Sequence, residues 1–122
     1  MTDGNSRRTF DLEERTFRFA QRVRLLIKQI PRTMGNIEDG KQVLRASGSV
    51  GANYIEANES LGTKDFLMRI KISRKEAKES HYWLRLIDLE TTQQLEPERA
   101  ALIQEAEELT RIFGAIYRKS SS

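Results

Sequence analysis

Apolar residues recur every three or four positions along four stretches of this chain, and nowhere do they alternate at period two. With 3.6 residues per turn, that spacing gathers them on one face of an α-helix and argues against strands. The first predicted helix runs from about Asp11 to Ile30 and turns Leu12, Phe19, Ala20, Val23, Leu26, Ile27 and Ile30 inward. Asp11 and Glu14 have the spacing of a capping box, and Pro31 with Gly35 breaks the pattern. The second runs from about Asp39 to Leu61, with Val43, Ala46, Ser47, Val50, Tyr54, Ala57 and Leu61 facing the core. Gly62 then reads as a stop and Thr63 as the cap of the next helix. The third, from about Lys64 to Glu90, buries Phe66, Ile70, Ala77, Leu84 and Ile87. The fourth opens at Pro97, which suits a first helical turn, and presents Leu102, Ala106, Leu109, Phe113 and Ile116. Residues 1–9 and 120–122 lack the pattern and are expected to be disordered tails around one domain, 10–119. Four long amphipathic helices with short connections predict an all-α, antiparallel up-down four-helix bundle.

Some surface is left over once this core is built. Beside its core stripe, the second helix carries Leu44, Gly48, Gly51, Ala52 and Ile55. Two glycines inside a helix are costly unless another backbone gains from the missing side chains. They serve either close packing within the bundle or contact with another copy. The third helix has Ile72, Trp83 and Leu86 off its core face, and an exposed tryptophan is a common interface residue. These eight residues are the candidate oligomer interface.

Charge adds a third feature. The chain has 21 basic and 18 acidic residues, a net charge of +3. Lys64, Lys71, Lys75, Lys78 and Arg85 fall within about 60 degrees of one another on the third helix, with Met68 and Tyr82 among them. Arg15, Arg18 and Arg22 line the first helix at spacings of three and four. Such a row either solvates a surface, balanced by Glu76 and Glu79, or neutralises successive phosphates while Tyr82 stacks on an unpaired base.

Other chemistry is missing. There is no cysteine, hence no disulfide or zinc-thiolate set, and no apolar run approaches a membrane span. With no signal peptide visible either, a cytoplasmic protein is expected. The lone histidine, His81, has Lys78 three residues before it, so the paired Glu-x-x-His signature of a di-iron bundle fails. Gly48-Ser49-Val50-Gly51 lacks the lysine and spacing of a phosphate loop. Neither Ser47 nor Ser49 has a base at a meaningful spacing. No catalytic, cofactor or metal residue is expected. Asn53 and Glu56, three apart, read as a structural polar pair that fixes helix register.

The run Arg45-Ala46-Ser47-Gly48-Ser49-Val50-Gly51-Ala52-Asn53-Tyr54-Ile55-Glu56-Ala57 resembles a known motif. It is similar, in register, to the second helix of the small bacterial four-helix-bundle proteins encoded within intervening sequences of 23S ribosomal RNA genes. That motif reads Arg-Ala-Ala-x-Ser-Ile-Pro-Ser-Asn-Ile-Ala-Glu-Gly. The following Lys64-Asp65-Phe66 and its aliphatic and basic continuation also look like the family, over roughly Phe10 to Arg118. Gly51 stands where the family has proline and Ala57 where it has glycine, which predicts a straighter, longer second helix. The resemblance implies a homopentameric bundle without enzymatic activity. It also implies a relation to the accessory protein of diversity-generating retroelements, a basic pentameric barrel associated with a reverse transcriptase and nucleic acid. The function expected is therefore a non-enzymatic oligomeric module binding RNA or DNA through a basic surface made by helices one and three. The alternative is an adaptor docking a partner such as a reverse transcriptase through Trp83, Ile72 and Leu86.

Overall fold

The computed structural model describes residues 3–122, with side chains from residue 7 onward. Among these residues the elements are α1 (Asp3–Ile27), α2 (Met34–Asn58), α3 (Thr63–Leu86), a 3-10 turn (Gln93–Leu95) and α4 (Glu96–Ser121), with no strand. Cross-helix contacts fix the direction. Going along α1, Glu13 meets Asn58, Thr16 meets Gly51, and Ile27 meets Gly40. Ser73 bonds to Val50 and Arg69 to Asn53, while Arg15 meets Glu105 and Arg22 meets Glu98. Numbers rise in one helix as they fall in its neighbour, so each pair is antiparallel. The most extensive packing joins α2 to α3 and α3 to α4; α1 lies against α2 and touches α4 more lightly. α1 and α3 are therefore diagonal.

The core follows the apolar period. Phe19, Val23, Leu26, Val43, Val50, Ile70, Ala77, Leu84, Leu102, Leu109 and Phe113 are sealed from solvent, and Tyr54 packs edge-on against Phe113 at 5.4 Å. A side chain like these contributes roughly 1.5–3 kcal/mol by leaving water. Phe66 and Ile116 are only partly covered, at the ends of their stripes. Leu61 departs from expectation altogether and is fully exposed, because α2 stops at Asn58. Glu59 N–H and the Ser60 hydroxyl close the last turn onto the Glu56 and Ala57 carbonyls, leaving Leu61 on the connection.

Helix limits moved where capping decides them. α1 begins by Asp3, so Asp11 lies mid-helix and caps nothing; the expected tail holds for none of residues 3–9, and Met1 and Thr2 lie outside the described residues. Gly4, Asn5 and Ser6 are poor helix formers, so the helical backbone here extends from the amphipathic turns that follow and not from local propensity. α2 starts five residues early because the Thr33 hydroxyl accepts from Asn36 N–H at 3.1 Å. Gly62, not Thr63, occupies the N-cap of α3. α3 ends at Leu86 because the Arg99 guanidinium of α4 donates to the Leu84 and Ile87 carbonyls and pairs with Glu96 at 2.6 Å. α4 reaches Ser121, overrunning the second expected tail. α2 runs through Gly51 and Ala57 and ends at Asn58.

A candidate nucleic-acid interface on the outer face of α3

The two basic rows read from the sequence have different fates. On α1, Arg15 forms a fork with Glu105, Nε at 2.7 Å and Nη2 at 2.9 Å, and reaches Glu108 at 2.8 Å. Arg22 makes a second fork with Glu98, at 3.0 and 3.1 Å. Arg18 pairs with Glu14 at 3.6 Å. Hydrogen bonding to Glu105 holds the Arg15 guanidinium well above its usual range, and Glu98 raises that of Arg22. Glu108 is drawn down by its hydrogen bonds from Gln104 and Arg15. The cause lies in α4, whose first half carries Glu96, Glu98, Glu105, Glu107 and Glu108 against Arg99 alone. Arg15 and Arg22 bridge α1 to α4 and are already neutralised, whereas Arg18 stays exposed beside Glu14 of its own helix. A single basic surface made by helices one and three does not exist in this chain, since the two helices occupy opposite corners of the bundle.

The α3 row is free. Lys64, Lys71, Lys75, Lys78 and Arg85 are all exposed, and none has an ion-pair partner among the described residues. Lys71 sets its ammonium 5.7 Å from the Tyr117 ring of α4. Arg74, which the sequence reading passed over, joins them. It lies across Gly114 of α4, where its Nε is 3.6 Å from the position a Cβ would take, beside Arg118. The signal was present: Arg74 precedes Lys75 and is one helical step from both Lys71 and Lys78. Met68, Lys71, Ile72, Arg74, Lys75, Lys78 and Glu79 together line a shallow depression of about 570 Å³. Glu79 is its one acid. Glu76, next in sequence to Lys75, is part-buried; burial and then Glu79 raise its carboxyl above the usual range, against the opposing charges of Lys75 and Arg45.

Tyr82 extends the row, 53% exposed, its ring held edge-on by Trp83 at 5.0 Å. Trp83 itself is half-buried and packs on the core, so it is no free contact residue. Leu86 is open at 46% and Ile72 is partly covered. His81 is half-buried, and no cluster able to hold a metal exists among the described residues.

The glycine face of α2 divides. Gly51 is buried against Thr16 of α1 and is used inside the chain; Gly48 lies under the Arg24 guanidinium. Ala52 and Ile55 remain exposed, and with Phe17 and Ala20 they border an open groove of about 400 Å³ between α1 and α2. Leu44 is partly covered by the core. Asn53 and Glu56 are not a pair. Asn53 accepts from Arg69 at 3.0 Å and donates to the Ser49 carbonyl at 2.9 Å, whereas the Glu56 side chain faces solvent. The polar residue that does lock the connections is Asn36, buried, bonded to the Pro31 carbonyl and to both backbone groups of Asp88.

An antiparallel helical bundle with an open basic edge on α3 is the class these features define. The model of the 23S rRNA-intervening sequence protein family matches residues 8–115, and the chain belongs to that family. A crystal structure of a protein of unknown function from the S23 ribosomal protein family of Bacteroides thetaiotaomicron is similar, with TM-score 0.73 and 28% identity. That likeness covers 86% of this chain and 96% of the other. No curated protein matches. No helix among the described residues is long and apolar enough to cross a membrane.

Proposed function

We propose that this chain is a non-enzymatic, self-associating module that holds RNA or DNA electrostatically along the outer face of α3. One observation carries the reading: Lys64, Lys71, Lys75, Lys78 and Arg85 of α3 stand exposed without a salt bridge, while Arg15 and Arg22 of α1 are paired with glutamates of α4. A protein that merely needed solubility would gain as much from mixed charge; a run of unneutralised cations concentrates the field along one edge. Release of counterions from the nucleic acid then drives binding, with little sequence preference and steep salt dependence. Self-association is supported by the open groove bordered by Phe17 and Ile55, and by the exposed Phe10 and Leu25 on the same helix, α1. Several copies would multiply a modest charge into a strong one.

The test replaces Lys71, Lys75 and Lys78 by Glu and measures binding to mixed-sequence RNA. Loss of binding with unchanged helix content and melting supports the reading; undiminished affinity overturns it. Light scattering on wild type and Phe17→Glu addresses assembly: a multimer reduced to monomer is expected, and a monomeric wild type contradicts it.

A further inference from the structure

We infer that the outer face of α3 takes an unpaired strand in preference to a duplex, with its bases resting on Met68, Ile72 and Tyr82. The inference rests on the polyanion reading above and goes beyond it in naming the substrate class. The depression on this face has two unlike borders. Lys71, Arg74 and Lys78, spaced three and four apart, form one. Ile72 and Glu79, seven apart, form the other, with Met68 and Lys75 between them. A duplex presents phosphates on its outside and keeps base faces stacked within, so it would leave the apolar border and its carboxylate unused or repelled. An unpaired strand has a charged backbone along one side and flat, apolar base faces along the other. That asymmetry matches this one: phosphates along the cations, bases over Met68 and Ile72, and base amino groups able to donate to Glu79.

The row also has reach and rigidity. From Lys64 to Leu86 it extends about 33 Å along a continuous helix. Near its far end Tyr82 offers a ring that is more than half exposed yet pinned by Trp83, which is itself packed on the core. A stacking surface fixed in advance loses little side-chain freedom when a base arrives. Cations interleaved with an exposed aromatic are the arrangement that holds single strands irrespective of sequence. A second copy docking face to face on the same surface would set lysines against lysines, so this face is poorly suited to a symmetric contact with itself.

The experiment compares one mixed-sequence oligonucleotide as a single strand and as its duplex, by anisotropy at one salt concentration, with wild type, Tyr82→Ala and Tyr82→Phe. The strand is expected to bind about tenfold more tightly than the duplex. Tyr82→Ala should weaken the strand by about tenfold and leave the duplex unchanged, and Tyr82→Phe should retain both. Equal affinity for both forms, still lost when the lysines are reversed, overturns this inference and leaves the polyanion reading standing. No binding of either form overturns both. A preference for phosphatidylserine vesicles over the strand also overturns it.

Discussion

Two glycines three residues apart on α2 should respond to the same substitution with opposite signs. A Cβ built on Gly51 falls 2.7 Å from Thr16 Oγ1 and 3.1 Å from Thr16 Cβ. Thr16 is buried on α1, and its hydroxyl is bonded to the Glu13 carbonyl at 2.9 Å, so it can retreat only by giving up that bond or moving the helix. Overpacking of this kind costs about 1–3 kcal/mol. Replacing glycine by alanine inside a helix gains about 1 kcal/mol in the opposite direction. Gly51→Ala should therefore lose about 1 kcal/mol on balance. At Gly48 the nearest atom is Arg24 Nη2 at 3.5 Å, the end of a flexible side chain on the surface. Nothing opposes the helical gain there, and Gly48→Ala should stabilise by about 1 kcal/mol. Urea melts at one fixed protein concentration should separate the two variants by about 2 kcal/mol, and fixing the concentration keeps self-association from shifting the comparison. Adding Thr16→Ala to Gly51→Ala should recover part of the loss, beyond the sum of the single effects. If both glycine variants are stabilised alike, the α1–α2 seam is not as close as described.

The remaining predictions concern charge and the connections. Arg15→Gln should lower stability by up to about 1 kcal/mol in low salt, less in high salt, and leave nucleic-acid affinity unchanged; an affinity loss matching that of the α3 variants would contradict the separation of the two rows. Burial holds the Glu76 carboxyl above its unfolded value, so its ionisation opposes folding. Glu76→Gln should therefore stabilise at neutral pH, and the gain should vanish as pH falls below the ordinary glutamate value of about 4.3. A gain that persists into acid would contradict this. Glu108 behaves oppositely: its carboxyl is held low, so its contribution is present above the unfolded value and is lost as pH falls through the folded one. Asn36→Ala should cost about 3 kcal/mol in chemical denaturation, since it strands both backbone groups of Asp88. A change under about 0.5 kcal/mol would show the junction to be solvated.

How much of this was legible in the sequence depended on whether local spacing or distant partners decided the outcome. Val43, Val50, Tyr54 and Ala57, or Leu102, Ala106, Leu109 and Phe113, follow a strict helical period and are buried as read. Leu61 continues the same period, but the chain turns before it, and only the Ser60 and Glu59 bonds reveal that. The lysines of α3 and the arginines of α1 look equivalent as strings. What separates them is the glutamates of α4, brought opposite α1 from 76 and 90 residues away by the up-down topology. Trp83 illustrates the same limit, since its position off the ideal stripe says nothing of how far a large ring leans back onto the core. Asn53 found Arg69 on the next helix instead of its sequence neighbour Glu56.

The central claim is that the free cations of α3, and not Arg15 and Arg22 of α1, hold the nucleic acid. It is tested most directly by the salt dependence of single-strand binding. With five cations engaged, the logarithm of affinity should fall with the logarithm of salt at a slope of at least about 3.5 in magnitude. Lys71→Gln with Lys75→Gln should make it shallower by about 1.4 or more, whereas Arg15→Gln with Arg22→Gln should leave it unchanged. A slope near zero, or one that follows the α1 arginines instead, would contradict the account.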